Sequence, residues 1–273
     1  VKILVTVKRI PDPDENLKFA NGAVDLGAVG KWVPNAFDEY AVETALRLAE
    51  KVGTKDRLAE IIVLSICPKD KKQHVTQFLA MGADRGVIVD ADDTQLDSQT
   101  IAKLIAKVYE QEGCDLLVAG KLSQDAEGNE VAQRAAALLG LPVASFAATV
   151  GWDQGSNALS VAREVDDGVE TKKVPVPAVL SVDLRIVLPE SVKNGVTAAD
   201  HKYQEGPRLA SLRGITMAKR KKVAVHTPGD LGVEATCRVK ATAMVPPPAR
   251  QAGQIVDSPE TLVDKLATEA KVL

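Results

Sequence analysis

The stretch Asp115 to Leu141 gathers Ser123, Asp125, Gly128 and Asn129 into one polar turn. An apolar run, Leu116 to Ala119, precedes that turn, and apolar residues recur after it at Val131, Ala135, Leu138 and Leu139. The first part reads as a strand, and the second has the spacing of one helix face. At the start of such a helix the first N–H groups lack backbone partners and the dipole end is positive, so a phosphate fits the turn. The same residues also read as an ordinary βα loop in which an Asp or Asn caps the helix.

Other chemistry finds little support. The chain contains no G-x-G-x-x-G, Walker A, H-E-x-x-H, G-x-S-x-G or C-x-x-C motif. His74, His201 and His226 stand apart in sequence and read as bystanders rather than bases. Cys67, Cys114 and Cys237 are odd in number and widely spaced, which matches neither a disulfide framework nor a zinc pattern. Cys67 stands at a strand end and reads as a packing or backbone-contact position, because no cationic neighbour in sequence activates its thiol. We therefore expect no catalytic set and no metal site.

Positioning that turn requires a scaffold, and the 273 residues, 45% hydrophobic and 26% charged, can bury a sizeable core. Val1 to Val7 is a β-branched run suited to a buried strand. A polar loop follows, with a hairpin expected around Asn21-Gly22. Asn35 precedes apolar positions Phe37, Ala41, Ala45 and Leu48 and reads either as a plain helix cap or as a ligand contact. Further strands over Leu58 to Ile66 and Arg85 to Val89, each followed by a helix, complete the alternation. The expected fold is α/β, a Rossmann-like parallel sheet with helices on both faces. In such sheets ligands sit outside the carboxyl ends of the strands, which is where the loops at Lys8, Cys67 and Gly120 lie.

Beyond Leu141 the segments Ser145 to Val150, Ala158 to Glu164, Val169 to Val174 and Val179 to Val182 read as antiparallel strands extending the sheet edge. Pro189 to Pro207 reads as a polar, structure-poor insertion. Pro246, Pro247 and Pro248 mark an extended arm, and Ser258 to Ala270 a capped terminal helix with Leu262, Val263 and Leu266 on one face. The net charge of −3 and 3% aromatic content argue against a nucleic-acid partner. With no apolar run long enough to span a bilayer and no signal-peptide pattern, we expect no membrane insertion and a cytoplasmic location, or an organelle matrix if a transit peptide was removed.

Taken together, several runs resemble the β subunit of electron-transfer flavoprotein: Val5 to Ile10, Pro34 to Glu39 with Ala41-Val42-Glu43, and Ala80-Met81-Gly82-Ala83-Asp84-Arg85-Gly86. Gly120-Lys121 with Asp125, Asn129 and Gln133, Val182-Asp183-Leu184-Arg185, and Pro228-Gly229-Asp230-Leu231-Gly232 extend the resemblance over nearly the whole chain. It implies a heterodimeric electron carrier, not an enzyme, whose FAD is held mainly by an α subunit. Such a carrier takes electrons from dehydrogenases and passes them to a further redox acceptor. Within the β subunit it implies a structural AMP met by Thr6, Asn35 and Cys67 at the adenosine and by Asp125, Asn129, Glu130 and Val131 at the phosphate. Phe37 would lie near the FAD, and Leu212 would anchor a partner-recognition loop near 207–217. Residues 1–234 would form the nucleotide-binding domain, and 235–273 an arm and helix packing on the α subunit.

The resemblance has departures. Pro13 stands where many members have a Tyr, and Val187 to Gly206 reads as an insertion ahead of the recognition loop. Members that bifurcate electrons and hold a second FAD have a turn like D-G-D-T-A-Q-V-G-P, whereas AMP-binding members tend to D-D-D-x-N-Q-T-G-Q. Here Asn129 and Gln133 side with AMP, Val131 with the second FAD, and Glu130 with neither. The reading is AMP. The alternatives are the bifurcating carrier, a stand-alone adenine-nucleotide sensor and, more weakly, a nucleotide hydrolase.

Overall fold

A computed structural model describes residues 1–239, 241–249 and 252–273. The chain enters through β1 (Lys2–Thr6), whose Ile3, Leu4 and Val5 are fully buried. Burial of consecutive residues on both faces is what a central parallel strand requires. Two short antiparallel pairs follow: β2 (Arg9–Pro11) with β5 (Trp32–Pro34), and β3 (Phe19–Ala20) with β4 (Ala23–Val24). The expected hairpin at Asn21-Gly22 is present, with φ of 53° and 73°, the left-handed backbone its two-residue turn needs.

Next come α1 (Ala36–Ala49), β6 (Glu60–Ile66), α2 (Gln73–Met81), β7 (Arg85–Val89), α3 (Ser98–Glu112), β8 (Leu116–Gly120) and α4 (Val131–Leu139). They build the expected layered α/β arrangement. The main sheet is completed by β9 (Val143–Ala147), and a second sheet begins immediately with β10 (Thr149–Asp153), β11 (Ala158–Val165) and β12 (Gly168–Pro175). The chain then returns to the main sheet as β13 (Ala178–Val182), touches the second sheet again as β14 (Val192–Lys193), and leads to α5 (Leu212–Ala218), β15 (Val223–His226) and α6 (Pro259–Thr268). The seven-stranded order is β15-β7-β6-β1-β8-β13-β9, and every pairing in it is parallel.

Two expectations about the middle of the chain are corrected. Val179 to Val182 is not an antiparallel edge strand but a parallel interior strand between β8 and β9, buried on both faces. Ser145 to Val150 is not one strand. It breaks at Ala148, where Phe146 has a φ of 61° and the β9–β13 register shifts, so its halves belong to different sheets. The antiparallel excursion β10–β12 thereby takes the place of a crossover helix between two parallel neighbours. Its inner residues Trp152, Leu159, Val161 and Val174 join the core that covers α1 and α2, and α3 and α4 bury the opposite face of the main sheet.

The supposed structure-poor insertion is a strap folded over α1. Arg47, 1% exposed in the last turn of that helix, donates to the carbonyls of Val187, Leu188, Gln204 and Gly206 at 2.8–3.2 Å. Asn194 Nδ2 donates to the carbonyls of Arg47 and Glu50 at 3.0 and 2.7 Å. Buried polar groups must find partners, and here they find them across about 150 residues of sequence separation. After Val233, which still packs in the core, the chain leaves the body as an arm tied by Thr100 Oγ1 to the Thr236 carbonyl, and by the Met244 N–H to the Gly22 carbonyl. Among the described residues, α6 buries nothing.

Candidate functional site

In the sheet order, β1 passes to β6 on one side while β8 lies on the other, so the chain's direction of winding reverses between β1 and β8. That crevice is where open α/β sheets accept ligands. The backbone around it is tightly held. Gly120 ends β8 under the first turn of α1, and a Cβ there would lie 2.6 Å from Asp38 Oδ1 and 2.7 Å from the Phe37 carbonyl carbon. Only glycine lets the helix start so close to the strand. Asp38 is fully buried and accepts the Lys8 N–H at 2.7 Å, and desolvation pushes its carboxyl up to about 7.

Asn35 is not the plain helix cap. Its side chain makes no capping bond. Instead its Nδ2 donates to the Leu122 carbonyl at 2.9 Å, and its Oδ1 accepts the Gln124 N–H at 3.1 Å. The missing cap comes from across the crevice, since Gln124 Oε1 accepts the Ala36 N–H at 3.1 Å. This reciprocal clamp fixes the start of α1 to the loop before α4. Gln124, Asp38 and Lys8 were not singled out as site residues from sequence, and the one signal was the pairing of buried helix start and glycine that Gly120 implies.

The reading of the β8–α4 turn as an ordinary capped loop is also corrected. Neither Asp125 nor Asn129 caps α4; the cap position is Glu130, which supplies no side-chain bond. Ser123 N–H donates to the Gly128 carbonyl at 3.0 Å, and Glu127 takes a φ of 51° to turn the chain. Among the described residues the N–H groups of Val131, Ala132 and Gln133 have no protein acceptor. Val131 and Ala132 line a cleft of about 310 Å³. Its walls are apolar, with Leu64, Ile66, Ile101, Ile105 and Leu117, and its rim is polar, with Thr6, Asn35, Ser123 and Asn129. An apolar slot with a few convergent donors suits a flat base and an anionic tail.

The structure thus brings Thr6, Asn35, Asn129 and Val131 to the cleft. Asp125 stands at its mouth, held by Lys8 Nζ at 2.7 and 2.8 Å. Glu130 points outward to Arg134 at 2.6 Å. Cys67 is buried behind the lining: its N–H donates to the Val89 carbonyl at 3.1 Å, and burial raises its thiol. Phe37 is half-buried at the start of α1, edge-on to Tyr40 and outside the cleft. His74 meets Ser65 Oγ at 2.7 Å, and burial and Arg9 push it down to about 4, so it is neutral at ordinary pH. Leu212 is 86% exposed but is the first residue of α5 rather than part of a loop, capped by Ser211. Among the described residues no cluster of three or more His, Cys, Asp or Glu could hold a metal, and no helix is long and apolar enough to cross a membrane.

The sequence profile of the electron transfer flavoprotein domain matches residues 26–230. The electron transfer flavoprotein subunit beta of Bradyrhizobium diazoefficiens is 38% identical over 275 residues, covering 100% of each chain. The human subunit beta is 36% identical over 272 residues, 97% of this chain and 96% of its own. The mitochondrial subunit beta of Arabidopsis thaliana is 36% identical over 274 residues, 100% of each. Matched from end to end in this way, the chain belongs to the electron transfer flavoprotein β-subunit family.

Proposed function

We propose that this chain is the β half of an α/β electron carrier that accepts electrons from dehydrogenases, delivers them to a further redox acceptor, and holds AMP as a structural ligand in its cleft. The family is one of electron carriers rather than enzymes. FAD, held mainly by the α subunit, supplies the redox chemistry when bound. This chain's part is to bind and to position. The observation that carries the AMP reading is the uncapped start of α4 opening into an apolar slot at the switch point. Unpaired N–H groups at a helix start suit a phosphate, and the walls suit adenine. A cleft of about 310 Å³ is near the lower end of small-molecule sites, which favours a mononucleotide over a second FAD.

The reading gives Phe37 the place nearest the flavin, Leu212 the docking of the dehydrogenase, and residues 235–273 the embrace of the α subunit. The arm supports the last of these. Leu262 and Val263 are 46% and 56% exposed on a helix that buries nothing, which a stand-alone sensor has no use for. The location in this reading is cytoplasmic. Acid extraction of the copurified heterodimer tests the central point: one flavin and one AMP per pair supports the carrier described, whereas two flavins and no AMP would establish the bifurcating type.

A further inference from the structure

The cleft is a poor place for a phosphate by its formal charges. Asp38 and Asp93 are in its lining, Asp125 is at its mouth between lining residues Ser123 and Ala126, and Glu127 and Glu130 follow on the same loop. Most of these acids are answered elsewhere. Asp93 is taken by Arg9 at 2.6 Å in a pair that is 10% and 8% exposed, and Glu130 by Arg134 on the outer side of α4. Asp38 is buried beneath Gly120 and occupied by the Lys8 N–H. Asp125 remains.

Among the described residues, Lys8 is the only basic residue that lines the cleft. Its backbone is fixed by Asp38, so its side chain starts from a set point, and its Nζ reaches both oxygens of Asp125 at 2.7 and 2.8 Å. The pair is 40% and 26% exposed, so it adds little to stability. Its position gives it a different use. It bridges the end of β1 and the β8–α4 loop, and Lys8 lines the same cleft as Val131 and Ala132 at the start of α4.

We infer that Lys8 is the residue that fits this acidic loop to a phosphorylated ligand, by neutralising Asp125 in place rather than by gripping the phosphate itself. The inference rests on the AMP reading and deepens it: the α4 amides bind the phosphate, and Lys8 removes the carboxylate charge that would oppose it. Lys8 is then a positioning and specificity-determining residue. It selects for the phosphate and is indifferent to the nucleoside.

The test is calorimetric titration of the α/β heterodimer, freed of bound nucleotide under native conditions, with AMP and separately with adenosine. Baring Asp125 with Lys8→Met raises the Kd for AMP by about tenfold, the scale of a like charge a few ångströms away in a partly wet site. Asp125→Asn lowers that Kd. The double variant Lys8→Met/Asp125→Asn returns it to within about threefold of the unaltered protein, the signature of a coupled pair. Adenosine binds all four proteins alike. A double variant as weak as Lys8→Met would overturn the inference, because Lys8 would then touch the phosphate directly. Equal losses for AMP and adenosine would overturn it too, because the role would be structural. An unaltered heterodimer that binds neither compound removes the AMP reading itself, and this inference with it.

Discussion

Replacing Arg47 with Met keeps an unbranched apolar stem and removes the guanidinium on which the strap closes. In the folded chain that group is 1% exposed, donates to Glu43 at 2.8 Å and to four strap carbonyls, and lies 4.7 Å above the Tyr203 ring. Not all of these partners would be stranded. Glu43 keeps Arg208 at 2.7 Å, the Val187 carbonyl keeps the Gly206 N–H, and the Leu188 carbonyl keeps the Ser191 N–H. The carbonyls of Gln204 and Gly206 have no other donor among the described residues. Breaking a buried ion pair outright costs about 3–5 kcal/mol, but with Glu43 still paired we expect about 2–4 kcal/mol. The loss should be local to the strap. Amide hydrogen exchange at Tyr203 and Gly206, whose N–H groups bond Pro189 and Val187, should then accelerate between about 30-fold and several hundredfold. Arg47→Lys should restore little of this, since an ammonium cannot fan out to four carbonyls as a guanidinium does. Unchanged protection at both amides in Arg47→Met would refute the reasoning.

Three further outcomes are expected. Leu212→Ala should leave flavin content and heterodimer intact while lowering the rate of reduction by the cognate dehydrogenase about tenfold or more, as loss of a buried Leu worth about 1.5–3 kcal/mol implies; an unchanged rate at subsaturating carrier rejects the anchor. Truncation before Ala235 should abolish copurification with the α subunit yet leave residues 1–234 folded by circular dichroism, and full-strength copurification would count against the arm. Asp38, with its carboxyl held at about 7 against 3.8 in an unfolded chain, keeps its proton in the native state between those values while the unfolded state loses it. Stability from this group is therefore complete below about pH 4, falls as pH rises to about 7 and is level above. The thermal midpoint of the protein should accordingly drop relative to Asp38→Asn across that window, and parallel profiles would contradict the assignment.

The parallel core was legible because consecutive β-branched residues such as Ile3, Leu4 and Val5 can be satisfied only by burial on both faces. Val179 to Val182 carried the same signal, yet its position after a run of hairpin-like strands and a Pro pair disguised it. Strand order is a matter of partners hundreds of atoms away, and no local pattern records it. The cleft was legible in part. The glycine and polar turn before α4 marked a strand-turn-helix junction through local backbone chemistry, though not that its helix start lacks a side-chain cap. The clamp of Asn35 and Gln124, and the pairing of Lys8 with Asp125, depend on contacts across 88, 89 and 117 positions, which spacing cannot reveal. Arg47 gave the least notice of all, since a charged residue at a helix position ordinarily reads as solvent-facing.

Carbonyls 187 and 188 and carbonyls 204 and 206 converge on the same guanidinium. The chain between them sets out from that guanidinium and returns to it, as a purse gathered by its string; on the way Ser191, Val192 and Asn194 stay buried, and the bend at 198–200 is exposed. Arg208, which grips Glu43 and Glu50 just beyond that point, fixes where the chain sets out toward α5. Lengthening the gathered segment adds closure entropy only with the logarithm of its length, and it moves nothing downstream of the knot. The exposed bend at residues 198–200 is thus the natural insertion port. A fluorescent or affinity tag placed there, near the exposed Asp200, should ride on the carrier without shifting α5.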